Sequence, residues 1–179
     1  MHSCTGCKKA LYKKYRDATF GIPTHDDNEL FKCLSLKIFQ TGLNEQIIAN
    51  KRAEIDNAFD HFHIQKIASY KEEKIEELLA NENIIRHAPK IRAIIHNANQ
   101  VIQIQKKYQS FSNFLWHFTR NEPLNYDSNP GSLIPPLQFA TIISIALKNE
   151  GFKFVGPKTV LGFLHMVGII QAKNVCIYK

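Results

Sequence analysis

The sequence predicts an all-α fold, and three observations carry that expectation. Apolar residues recur at three- and four-residue spacing over much of the chain, as in Leu30, Phe31, Leu34 and Ile38, and again in Ile91, Ile94, Ile95 and Ala98. No segment alternates apolar and polar residues convincingly enough to read as a half-buried strand. Helix starts are marked where the periodicity needs them, by Asp26 or Asp27 before the first periodic segment and by Pro157 at the head of the last.

Taken in order, residues 1–27 are irregular and polar, with Tyr12, Tyr15 and Phe20 among them and a turn at Gly21-Ile22-Pro23. A helix follows over about 28–40, and Thr41-Gly42-Leu43-Asn44 breaks it. A second helix is expected over about 45–59, a linker at Asp60-His61-Phe62-His63, and a short helical turn over about 64–69. Ile75, Leu78 and Leu79 set the inner face of a helix over about 71–79. The longest helical stretch reads as 87–111, followed by a compact aromatic helix over 112–118 whose Phe114 and Trp116 belong to the core. Asn and Pro make 121–136 a surface loop. Helices over about 137–147 and 157–167 close the chain. Helices packed in two lobes around a cleft, with both chain ends in one lobe and about 25–110 supplying much of the other, are expected to form one domain spanning 1–179.

Composition narrows the partners. Of 179 residues 44% are hydrophobic, enough for one well-packed domain. Twenty-three Lys and Arg against sixteen Asp and Glu give a formal charge of +7, which draws polyanions without defining a fold. No apolar run approaches the ~18–20 residues needed to cross a bilayer, and the N-terminus lacks a signal peptide's apolar core. A cytoplasmic protein without a membrane partner is therefore expected, with its four cysteines reduced.

The most telling stretch is Gly151-Phe152-Lys153-Phe154-Val155-Gly156-Pro157-Lys158-Thr159, between the last two helices. Glycines permit close backbone approach, and Pro157 suits a first helical position, where its missing N–H costs nothing. The free N–H groups of that first turn, including Thr159, offer an anion site beside Lys153 and Lys158. This reads as a helix-hairpin-helix over about 137–168 that grips a nucleic-acid phosphate. Elsewhere, His61, His63, His87 and His96 have poor spacing for a local metal site, and Arg86 and His87 suit backbone contact or capping. Glu72 and Glu73 with Lys71 and Lys74 read as a solvated helix surface.

These blocks occur in a familiar order. Tyr12, Tyr15 and Asp17 precede Gly21-Ile22-Pro23, Leu30-Phe31, Gln40-Thr41-Gly42-Leu43 and Lys51-Arg52. After them come Ile84-Ile85-Arg86-His87, Lys90-Ile91-Arg92-Ala93-Ile94-Ile95-His96-Asn97-Ala98, Phe114-Leu115-Trp116-His117-Phe118 and the hairpin. In this the chain resembles the bacterial 3-methyladenine DNA glycosylase I family, of the helix-hairpin-helix superfamily, over essentially its whole length. The resemblance implies a base-excision enzyme that extrudes a damaged base from duplex DNA into an aromatic pocket and cleaves its glycosidic bond. The family manages without a catalytic aspartate after the hairpin, and no Asp follows Pro157 closely here.

The departures fall on the implied pocket. The family glutamate that reads the base edge matches Lys37, and the tryptophan that walls the pocket matches Glu45, while Tyr15 keeps the stacking tyrosine and Gln40 stays beside it. A carboxylate accepts hydrogen bonds from an exocyclic amine, whereas an ammonium only donates. Catalytic candidates are thus Lys37, Tyr15, Gln40 and Glu45, and DNA-binding candidates are Gly42, Leu43, Lys153, Gly156, Lys158 and Thr159. Leu43 fits either intercalation or a buried turn. The resemblance also implies a zinc clip between the chain ends, but its ligand positions fall on Cys4, Arg16 and residues near Lys173 and Ile177. Cys4, Cys7 and Cys176 with His2 or His25 are the alternative ligand set; otherwise the thiols are free and no cofactor is expected. Three functions stay open: a monomeric glycosylase acting on an alkylated or otherwise altered purine, an inactive paralogue that only binds duplex DNA, and a structural or interaction protein that keeps the fold without the DNA grip.

Overall fold

The computed structural model describes residues 21–126 and 134–171, and these are almost entirely helical. Helix α1 spans Asp27–Gln40 because Asp26 caps it, its carboxylate accepting from the Glu29 N–H at 2.9 Å. Asp27 and Glu29 in the first turn and Lys37 in the last complement the helix dipole. Leu30, Phe31, Leu34, Ile38 and Phe39 are fully buried, so α1 runs through the core. Each such side chain contributes roughly 1.5–3 kcal/mol of burial, well above the cap's contribution of about 1 kcal/mol.

Helix α2, Glu45–Ala58, starts on an Asn44 cap. The expected linker that follows is a 3-10 turn, Asp60–Phe62, with Asp60, His61 and Phe62 all at positive φ. Burial of Phe62 and its stacking on Phe59, 5.6 Å between centroids, hold this disfavoured conformation in place. Helices α3, Ile64–Ala68, and α4, Glu72–Ala80, pack on α5, Ala88–Tyr108. His87 caps α5, Nδ1 accepting from the Lys90 N–H. Glu72 is exposed, as a solvated helix surface requires, and its carboxylate pairs with the equally exposed Arg92 of α5.

The stretch read as one helix over 87–111 ends earlier. Gln109 adopts φ 71°, and Ser110 caps a new helix α6, Phe111–Trp116. Asp27 accepts from the Phe111 and Ser112 N–H groups at 2.9 and 2.8 Å, so a carboxylate from α1 anchors the start of α6. A 3-10 turn, His117–Thr119, follows.

Helices α7, Pro136–Asn149, and α8, Pro157–Met166, pack against each other, and α8 also lies on α1. One expectation is corrected: Leu124–Asn125, within the predicted loop, pairs in parallel with Ile170–Gln171. Two residues are too few to show a period, so no pattern could announce them. Gly168 makes this closure possible. It has φ +74°, and a Cβ there would lie 2.5 Å from the Pro23 nitrogen. The Gly21 and Thr24 N–H groups bond the Met166 and Val167 carbonyls, docking the early turn on the end of α8. Among the described residues no helix is long and apolar enough to cross a membrane.

Candidate functional site

The hairpin is built from its ends inward. Gly151, at φ +85°, closes α7: its N–H bonds the Lys148 carbonyl, and the Phe152 N–H reaches the Leu147 carbonyl. This is a Schellman ending, and burial of both Leu147 and Phe152 supplies its apolar contact. Phe152 stacks on Phe111 at 5.7 Å, and Val155 is also buried. Between them Lys153 and Phe154 face outward.

Two buried polar side chains grip this loop. Asn97 Oδ1 accepts from the Lys153 N–H at 2.8 Å while its Nδ2 donates to the Lys153 carbonyl at 3.0 Å. Ser144 Oγ donates to the Val155 carbonyl at 2.6 Å. His96 adds a contact to the Gly151 carbonyl. Held this way, Phe154 takes φ +60°, a conformation a bulky residue avoids, and its ring is 41% exposed. Helix α8 then opens with Gly156 as cap residue and Pro157 in its first turn, without a side-chain cap bond, and Lys158 is exposed beside it.

A second loop meets the hairpin. Thr41 Oγ1 and Thr159 Oγ1 share a hydrogen bond at 3.3 Å, which sets the α1–α2 turn beside the first turn of α8. Gly42, at φ +78°, has open space around it, and Leu43 is 37% exposed, which corrects the buried-turn alternative. Lys90 stabilises this turn from behind. Lys90 is 5% exposed, and its ammonium donates to the Phe39 and Thr41 carbonyls at 2.8 and 2.5 Å, two acceptors left open where α1 ends. Burial pulls its pKa below the usual lysine range. No local signal assigns Lys90 this role, since only the fold brings it to a helix end 49 residues away.

Behind that turn, three predicted residues converge. Lys37 Nζ donates to Gln40 Oε1 at 2.9 Å and lies 3.5 Å from Glu45 Oε1. Lys37 is 8% exposed, and burial holds its pKa below the ordinary lysine value, with the Glu45 carboxylate opposing that shift. Gly162 of α8 faces the aminoalkyl chain; a Cβ there would stand 3.4 Å from it. One turn on, His165 is buried, and its pKa falls to about 4, chiefly through burial and in lesser part through the charge of Lys37, against a hydrogen bond with the Ile170 backbone. His165 was missed because a histidine on an apolar helix face carries no signal of its neighbours.

Tyr15 lies outside the described residues, as do Cys4, Cys7, Cys176 and His2. Of the four positions matched to the zinc clip only Cys4 carries a usual zinc donor; the others bring a guanidinium, an ammonium and an alkyl group, which do not complete zinc's four-ligand set. His25, the alternative ligand that is described, stacks on Trp116 at 4.4 Å with Nδ1 3.1 Å from Ser112 Oγ. No group of three or more His, Cys, Asp or Glu among the described residues is placed to hold a metal.

Comparison with known proteins agrees with this architecture. The family model described as methyladenine glycosylase matches residues 5–179. DNA-3-methyladenine glycosylase 1 of Escherichia coli (strain K12) is 35% identical over 162 residues, covering 90% of this chain and 87% of that protein. DNA-3-methyladenine glycosylase of Haemophilus influenzae is 30% identical over 165 residues, covering 92% and 89%. A solved structure of Staphylococcus aureus 3-methyladenine DNA glycosylase I superposes with a TM-score of 0.85 at 33% identity, covering 97% of this chain and 94% of that one.

Proposed function

The chain belongs to the methyladenine glycosylase family, and from that membership we propose that it grips duplex DNA and removes an altered purine by hydrolysing its N-glycosidic bond. The observation that carries this reading is the Thr41–Thr159 contact, which brings the α1–α2 turn and the hairpin helix to one edge. On that edge Lys153, Lys158, Thr159 and the N–H groups after Gly156 take phosphates. Gly42 lets backbone approach the duplex, and Leu43 enters the gap left by an extruded base. Residues 137–168 are the gripping part of a single domain spanning 1–179, which acts as a cytoplasmic monomer.

Lys37, Gln40 and Glu45 form the base site, and the match of Tyr15 to the family's stacking tyrosine gives that residue the role of stacking the base. Extrusion exposes the sugar bond, and the enzyme then needs to hold the base and stabilise an oxocarbenium-like sugar. A second reading has an observation in its favour. Lys37 is buried and held by Gln40 and Glu45, so the pair itself fills the base site and leaves a DNA-binding protein without excision.

Base release from methylated duplex DNA, with binding to undamaged and abasic duplexes across a salt series, tests both. Wild-type protein is expected to bind abasic duplex, and Lys158→Ala to reduce the slope of log K against log salt by about one. Lys37→Glu alone would place two carboxylates across one gap, so Glu45→Trp accompanies it; the double variant is expected to raise 3-methyladenine release at least about tenfold. Binding with no release of any altered purine by wild type supports the inactive reading. Loss of binding to every duplex overturns the DNA grip itself.

A further inference from the structure

The base-excision reading above leaves the lesion open, and we propose that this site takes an uncharged purine carrying a carbonyl on its edge, such as a deaminated purine, in preference to a cationic alkylpurine. Lys37 and Glu45 place a donor and an acceptor side by side, with N···O 3.5 Å. Their side chains are 9% and 24% exposed, so the ammonium is the inner charge and the carboxylate the outer one. A lactam edge complements that order: its carbonyl oxygen accepts from Lys37, and the adjacent ring N–H donates to Glu45.

Charge development points the same way. A cationic alkylpurine leaves as a neutral base, so no negative charge develops on it for a nearby cation to stabilise, and its approach to a buried ammonium is repelled. An uncharged purine departs with the electron pair of the broken bond. That negative charge spreads from the ring nitrogen to the carbonyl oxygen, where a fixed ammonium stabilises the transition state more than the ground state. Lys37 is fixed in the sense required, because Gln40 accepts from it and Gly162 leaves its aminoalkyl chain undisplaced. His165 nearby stays neutral above about pH 4 and so adds no second charge beside Lys37 at neutral pH.

The step balances without a further reactant. The C1′–N9 bond breaks with its pair remaining on the base, and the oxygen of water bonds C1′. One proton of that water is released, the base anion takes up a proton, and the products are a neutral free base and an abasic sugar. Removing one pre-placed donor to developing charge costs on the order of a hundredfold in rate.

Single-turnover release is measured on duplexes carrying deoxyinosine or 3-methyladenine, with binding of free hypoxanthine and free 3-methyladenine followed by protein NMR. Wild type is expected to release hypoxanthine at least about tenfold faster than 3-methyladenine, Lys37→Met to lose on the order of a hundredfold of that release, and Lys37→Arg to recover part of it. Abasic-duplex binding by Lys37→Met is expected to persist, which separates a lost donor from a lost fold. Faster release of 3-methyladenine overturns the lesion assignment while leaving base excision standing. Release of neither base with abasic binding intact overturns the lesion assignment, and base excision falls with it only when no other altered purine is released either; free-base binding without a preference for hypoxanthine overturns the assignment independently.

Discussion

Replacing His165 by leucine is expected to flatten the stability of this protein between pH 6.5 and 4. The folded histidine has a pKa of about 4 against an ordinary value of 6.5, with burial as the main cause. As pH falls below 6.5 the unfolded chain takes up a proton that the folded chain does not, so stability drops across this window and levels off below about 4. Two and a half pKa units correspond to about 3 kcal/mol, a large share of a domain's total stability. Surface carboxylates held low by partners, such as Asp60 by the Tyr70 hydroxyl and Glu150 by Lys107, add acid sensitivity of their own. They are common to both proteins, so the comparison of urea unfolding at pH 7 and pH 4.5 isolates His165. A leucine variant that loses as much stability on acidification as wild type would show that the imidazole is not buried in its neutral form.

Asn97→Ala carries the second large effect. Asn97 is fully buried and makes two hydrogen bonds to the Lys153 backbone, so alanine removes a donor and an acceptor that the hairpin cannot replace locally. Two unmet backbone groups that are partly buried cost about 2–3 kcal/mol together. The functional consequence is expected to exceed the loss of stability. Asn97 is one of the few groups that hold Phe154 at φ +60° and Lys153 outward, so a slackened hairpin offers its phosphate contacts less often. Abasic-duplex affinity should fall at least about tenfold at a temperature where circular dichroism shows the variant still folded. Unchanged affinity in a folded variant would mean that the hairpin shape does not need this clamp.

Helix placement was largely legible because it depends on local signals. Asp26 as cap, the breaking turn at Thr41–Asn44, Pro157 at a helix start and the 3.6-residue recurrence of apolar side chains all act within one or two turns. The exceptions have non-local causes. The break at Gln109 depends on Asp27 anchoring the next helix, 84 residues away, and the two-residue strand pair is too short to have a period.

The sequence by itself determined the all-α class, the hairpin between the last two helices, the net positive charge and the order of motifs that marks the family. It also showed that lysine and glutamate stand at positions 37 and 45, since composition and periodicity are properties of the chain alone. Only the tertiary structure decided that these two form an ion pair inside the protein. The same is true of Lys90 closing the end of α1, Gly168 admitting the Ile22–Pro23 backbone, and Thr41 meeting Thr159 across 118 residues. Electrostatic and packing terms depend on distance and burial, and the chain's order specifies neither until the helices have packed.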